Sequence, residues 1–126
     1  MPRVLIIEDD MELREMIKTS LIRRKYTVLE AENGKEALSH FKPSTTDLVV
    51  TDLIMPEEDG LKVIMKLREL KPALKIIAIS GGGKAGPGGY LNLAKALGAN
   101  AVLSKPFSIN DLILKIEELL ALEQQN

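Results

Sequence analysis

Four short apolar runs each end on a residue that can do chemistry. Glu8, Asp9 and Asp10 follow Val4-Leu5-Ile6-Ile7, and Asp52 follows Leu48-Val49-Val50-Thr51. Ser80 follows Ile76-Ile77-Ala78-Ile79, while Lys105, with Pro106 and Phe107 after it, closes the run that begins Ala101-Val102-Leu103. Brought together, these residues make several carboxylates, one hydroxyl and one ammonium. Carboxylates held close repel one another, and protonation is favoured unless a cation compensates. Lys105 supplies one positive charge, and a divalent hard cation can supply the rest. Oxygen-only ligands with no His or Cys favour Mg2+ or a similar ion. Such an ion takes one or two protein carboxylates, keeps several waters and pairs with phosphate. The set therefore reads as a site that joins a carboxylate nucleophile, a metal and a phosphoryl group, and carboxylates do form aspartyl-phosphate intermediates. Metal, ammonium and hydroxyl would stabilise charge on the transferred group.

Glu8 and Lys105 lie far apart in sequence, so a fold must gather them. The chain has 126 residues, 45% apolar and 28% charged, which suits one domain with a real core. Seventeen Lys plus Arg against eighteen Asp plus Glu leave a formal charge of −1, which gives no reason to expect nucleic-acid or membrane-surface binding. The absence of cysteine excludes disulfides, zinc thiolate sites, iron–sulfur clusters and thiol catalysis. Only Tyr26, Phe41, Tyr90 and Phe107 are aromatic, too few for a base-stacking platform. No apolar run reaches membrane-spanning length, and Met1-Pro2-Arg3 lacks the features of a signal peptide. A soluble cytoplasmic domain is the expectation.

The elements alternate. Val4–Ile7 is a continuous apolar run, as for a strand buried on both faces. Residues 11–24 place Leu13, Met16, Ile17 and Leu21 on one helical face. A second strand, Tyr26–Ala31, leads into a short helix from Asn33-Gly34 to about Phe41, which Pro43 ends. Leu48–Thr51 is the third strand, and residues 59–70 carry Leu61, Ile64 and Leu67 at helical spacing. Ile76–Ile79 is the fourth strand, and a helix around Leu91–Leu97 is closed by Gly98. Ala101–Leu103 is the fifth. A last helix starts near Ser108, a candidate N-cap, and turns Ile109, Leu112, Ile113, Ile116, Leu119 and Leu120 inward. Strands alternating with helices mean an α/β fold, a doubly wound parallel sheet joined by right-handed crossovers. Ligands of such sheets bind beyond the carboxyl ends of the strands, where the chemical residues stand.

Glu8-Asp9, Asp52 with Met55-Pro56, Asp59-Gly60, Ser80, Gly98-Ala99 and Lys105-Pro106-Phe107 together make the chain resemble a response-regulator receiver domain of the single-domain, chemotaxis-regulator-like kind. The resemblance covers essentially the whole chain, with residues 1–122 as the receiver and 123–126 as a polar tail. It implies a flavodoxin-like five-stranded parallel sheet in the order 2-1-3-4-5 with five helices. It implies Asp52 as the phospho-acceptor, taking its phosphoryl group from a sensor histidine kinase or phosphotransfer protein. Asp9 and Asp52 would bind Mg2+ (or Mn2+) through their side chains, Ile54 through its backbone carbonyl, and Glu8 through water. Lys105 would contact the phosphoryl oxygens, and Ser80 would move to hydrogen-bond them. The Lys105–Pro106 bond would be cis. Such a protein catalyses only its own phosphorylation and dephosphorylation. Its output is altered binding of a partner the sequence does not name, usually over the fourth helix, fifth strand and fifth helix.

Other assignments come from the residues themselves. Asp10 suits a cap at the first helix better than a metal. Arg23-Arg24-Lys25 suits that helix's carboxyl end, Glu57-Glu58 a solvated loop, and His40 a helix surface. Val102 replaces the aromatic residue that the family often carries three before the lysine, so a ring-rotation switch has no side chain here. Six of the nine glycines fall within 81–89, directly after Ser80. Such a loop is expected to order itself when Ser80 moves inward. The resemblance also implies that the residues two after Asp52 and two after Ser80 tune dephosphorylation; here they are Ile54 and Gly82, neither of which can position an attacking water through a side chain, so slow self-dephosphorylation is expected. The alternatives are an aspartyl-nucleophile phosphohydrolase, a receiver fragment of a larger regulator, or a nucleotide or flavin binder. The phosphohydrolase lacks its second Asp, because Ile54 stands there. Nucleotide and flavin binders place anion-cradling glycines after the first strand, where this chain has acids. The Met1 start and polar end fit a single-domain protein.

Overall fold

The computed structural model describes residues 2–55, 58–81 and 89–124. Five strands form one parallel sheet: β1 (Arg3–Ile7), β2 (Thr27–Ala31), β3 (Leu48–Asp52), β6 (Lys75–Ser80) and β7 (Ala101–Ser104). Their order is β2-β1-β3-β6-β7, the expected 2-1-3-4-5 arrangement. Five helices connect and cover them: α1 (Met11–Arg23), α2 (Gly34–His40), α3 (Gly60–Leu70), α4 (Gly89–Ala96) and α5 (Ile109–Gln124). Between β3 and α3 lies a two-residue antiparallel ribbon, β4 (Ile54–Met55) and β5 (Glu58–Asp59), too short for a periodic sequence signal.

Alternation along the strands builds two apolar layers. Leu5, Ile7, Val49, Ile76 and Ala78 face one way and pack with Val63, Ile64 and Leu67 of α3 and Ala37 and Ala94 of α2 and α4. Val4, Ile6, Val50, Ile77 and Ile79 face the other way, against Ile17 and Leu21 of α1 and Leu112, Ile113 and Ile116 of α5. Both sheet faces are therefore dry, which is why the strands read as unbroken apolar runs.

The helix ends follow local chemistry. Asp10 caps α1 by accepting from the N–H groups of Glu12 and Leu13 at 3.0 and 3.2 Å, as expected. Ser108 Oγ accepts from Asp111 N–H at 3.0 Å at the start of α5. Gly98 takes a φ of 119° after α4, a conformation natural to glycine. The carboxyl end of α1 has the same need without a glycine: Lys25 sits at φ 68°. Its N–H donates to Ile22 O at 2.9 Å, and Tyr26 N–H donates to Leu21 O at 3.1 Å, the paired closure of a Schellman end.

One core assignment is corrected. Met16 is 52% exposed and does not join Ile17 and Leu21 inside. Helical periodicity gives the direction of an apolar stripe but not its width, and α5 leaves the outer edge of this stripe uncovered. The last helix also runs through Glu123 and Gln124, good helix formers with no breaker before them. Among the described residues, no helix is long and apolar enough to cross a membrane.

Candidate functional site

In the sheet order, β1 connects outward to β2 on one side while β3 lies on the other. The crevice beyond the carboxyl ends of β1 and β3 is therefore the switch point where ligands of such sheets bind. Glu8 and Asp9 leave β1 there, and Asp52 is the last residue of β3. Carboxylate oxygens of Glu8, Asp9 and Asp52 lie within 4.8 Å of one another. Glu8 and Asp52 are 2% and 4% exposed, whereas Asp9 faces solvent.

Lys105 completes the cluster from the loop after β7. Its Nζ donates to Glu8 Oε1 at 3.0 Å and to Asp52 Oδ2 at 3.0 Å. A backbone bond carries it there: Lys105 N–H donates to Ser80 O at 2.8 Å. The Lys105–Pro106 bond is cis, as expected. Ser80 ends β6, is buried, and its Oγ has no hydrogen-bond partner among the described residues.

The floor of the site is set by close backbone contact. Leu53 N–H donates to Ile79 O at 2.9 Å, holding the end of β3 against β6. Gly60 lies so close to Leu53 that a Cβ there would stand 2.5 Å from Leu53 Cα. The glycine of Asp59-Gly60 is thus required by a close approach of two backbone segments.

Electrostatics follow from this packing. Burial pushes the Glu8 carboxyl up to about 8, the neighbouring Asp52 carboxylate pushes the same way, and Lys105 only partly offsets them. For Lys105, burial opposes the charge, but hydrogen bonds to Asp52 and Glu8 outweigh it and raise its pKa. Two acids share one ammonium, so the cluster has room for more positive charge. Glu8 Oε2 is buried with no hydrogen-bond partner among the described residues. An orphaned carboxylate oxygen beside two further acidic groups, all hard oxygen donors, fits a divalent cation.

The structure thus gathers Glu8, Asp9, Asp52, Ser80 and Lys105 at one edge. Ile54 lies two residues beyond Asp52, on β4, paired with Asp59. Gly82, Pro56, Glu57 and most of the Gly-rich stretch lie outside the described residues. Sequence reasoning missed Arg14. It is on α1, and its Nη1 donates to Glu8 O at 2.7 Å. Nothing local marks it, because its partners lie just after β1 and on β2.

The fold and the gathered residues define a phosphoacceptor-type signalling module, and the comparisons agree. The chain belongs to the response regulator receiver domain family, matching it over residues 4–117. It is 35% identical over 121 residues to the response regulator receiver protein CpdR of Brucella abortus, covering 95% of this chain and 98% of that one. It superposes on a response regulator receiver domain protein of Clostridium thermocellum with a TM-score of 0.90 at 26% identity, covering 99% and 98% of the two chains. The Thermotoga maritima response regulator TrrA, solved in complex with Mg2+-BeF, matches with a TM-score of 0.80 and 33% identity over 94% of this chain and 99% of that one. The chain spans about half the length of other curated relatives, 48% and 50% in two cases. Receiver domains of two-component systems are signalling domains that work with histidine kinases or phosphotransfer proteins, and this chain is of that class.

Proposed function

We propose that the chain accepts a phosphoryl group on Asp52 from a phosphohistidine of a sensor kinase or phosphotransfer protein. The observation that carries this reading is Lys105 held between Glu8 and Asp52 at 3.0 Å from each, with Asp9 beside them at the sheet switch point. A carboxylate oxygen of Asp52 attacks phosphorus. The new P–O bond forms as the P–N bond breaks, and the imidazole leaves with the electron pair and gains a proton from solvent. Lys105 moves from the carboxylate to the phosphoryl oxygens. Ser80 Oγ, buried and without a partner among the described residues, turns to donate to the same group.

The residues that would hold Mg2+ or Mn2+ are Asp9 and Asp52 by side chain, Ile54 by backbone carbonyl and Glu8 through water. Bound there, the metal would supply positive charge against the phosphoryl oxygens. The chain's own residues then catalyse phosphorylation and hydrolysis of Asp52 alone, and its output is altered binding of a partner protein. We assign it to the cytoplasm, where such donors present their phosphohistidine.

An apolar face of α1 begins just beyond the acidic corner. A groove of about 670 Å3 runs along α1 to Ile109 of α5, with Met11 and Met16 on its walls. Residues 1–122 form the receiver unit in this reading, with 123–126 beyond it.

The test is transfer from a phosphohistidine donor protein carrying labelled phosphate. Label should pass to the wild type in Mg2+ and not to Asp52→Asn. Transfer to Asp52→Asn at the wild-type rate overturns the reading.

A further inference from the structure

A second charged cluster stands behind the carboxylates, on the side of β1 that faces β2. Arg14 of α1 is largely buried, its side chain 13% exposed. Its Nη1 donates to the backbone carbonyl of Glu8 at 2.7 Å, and its Nε donates to Glu30 Oε1 of β2 at 3.2 Å. The other Glu30 oxygen pairs with Lys18 Nζ at 2.9 Å. Glu8 is therefore gripped through both sides of its backbone, because its N–H also donates to Ala31 O at 3.0 Å. Arg14 N–H in turn donates to Asp10 O at 2.9 Å, closing the first turn of α1.

These bonds fix the corner that carries Glu8 and Asp9, and none of them uses a carboxylate oxygen of the acidic site. That corner needs fixing. Three carboxylates converge within 4.8 Å, and their repulsion favours splaying until a cation arrives. A guanidinium presents donors in a rigid fork, so one group can hold a carbonyl while a carboxylate orients it. Holding ligands in place before binding removes a cost that binding would otherwise carry.

We propose that Arg14, oriented by Glu30, is a positioning residue that holds the Glu8–Asp9 corner in its metal-binding arrangement. The proposal rests on the reading of the acidic cluster as a metal site. It extends the site to two residues that touch neither the metal nor the phosphoryl group.

The test is calorimetric titration of the full chain with Mg2+ alone, at a temperature where every variant is folded. Arg14→Met should weaken Mg2+ binding about tenfold, the lower end of what losing an outer-shell partner costs. Glu30→Gln should weaken it less, and adding it to Arg14→Met should weaken binding no further, because Glu30 acts through Arg14. Arg68→Met is the control for general destabilisation. Arg68 donates to the carbonyls of Pro72, Leu74 and Gly98 at the amino edge of the sheet, so its loss should lower the melting temperature and leave Mg2+ affinity unchanged. Wild-type affinity in Arg14→Met, or equal losses in Arg14→Met and Arg68→Met, overturns the proposal and leaves the metal site standing. If Arg14→Met does not fold, wild-type affinity in Glu30→Gln overturns it. Absence of Mg2+ binding in the wild type overturns the metal reading itself, and the proposal with it.

Discussion

Replacing Glu8 with Gln should stabilise the metal-free protein at high pH and do little at low pH. In the folded chain the Glu8 carboxyl is pushed from 4.5 up to about 8, first by burial and then by Asp52. In the unfolded chain it titrates near its ordinary value. Between pH 4.5 and about 8, the folded protein therefore keeps a proton that the unfolded chain gives up. The stability this group contributes is complete below the lower value and is lost as pH rises through the upper one. At about 1.4 kcal/mol per pH unit, a shift of this size is worth a few kcal/mol by pH 9. Gln keeps the length of the side chain, can accept from Lys105 and donate to Asp52, and never ionises. With roughly 4 °C per kcal/mol for a domain of this size, Glu8→Gln should melt on the order of 10 °C above wild type at pH 9. At pH 5 the two should melt together. Thermal melts followed by circular dichroism, in a chelator and at both pH values, make the comparison. Saturating Mg2+ at pH 9 should close the gap, because the ionised carboxylate is the form a cation favours. A difference in melting temperature that is the same at pH 5 and pH 9, or a variant less stable than wild type at pH 9, refutes the reasoning.

Two further outcomes follow from named contacts. Lys105→Met removes the ammonium that both Glu8 and Asp52 hold at 3.0 Å, so phosphorylation by a small phosphodonor should slow about 100-fold or more, as when a charge-stabilising donor is lost, while Mg2+ binding persists. An unchanged labelling rate would contradict the role given to Lys105. Lys25→Gly relieves a left-handed residue at φ 68° and should stabilise by about 1 kcal/mol, less the extra freedom glycine has when unfolded. Urea denaturation measures it, and a loss of stability would contradict the cap geometry.

The sheet was legible because helices cover both of its faces. That makes Val4–Ile7, Leu48–Val50 and Ile76–Ile79 continuous apolar runs, and it makes the residue after each run a residue of the carboxyl edge. Glu8, Asp9, Asp52, Ser80 and Lys105 could therefore be assembled from their positions alone. What escaped the sequence is non-local or too short. Arg14 meets Glu8 and Glu30 across three elements, and no spacing along the chain reports that. The β4–β5 ribbon has two residues a side and no periodicity to read. Lys25 adopts a glycine conformation that its side chain does not announce. Met16 carried the right phase for the core and stands beyond the reach of α5.

The central claim is that Asp52 is the residue phosphorylated, in a metal-dependent reaction. Intact-mass spectrometry after incubation with a small phosphodonor and Mg2+ tests it most directly. The wild type should gain one phosphoryl group, lost again under mild alkali as an acyl phosphate is, and peptide mapping should place it on Asp52. Asp52→Asn, or wild type in a chelator, should gain none. A phosphoryl group of equal yield on Asp52→Asn, or on wild type without metal, would contradict the account.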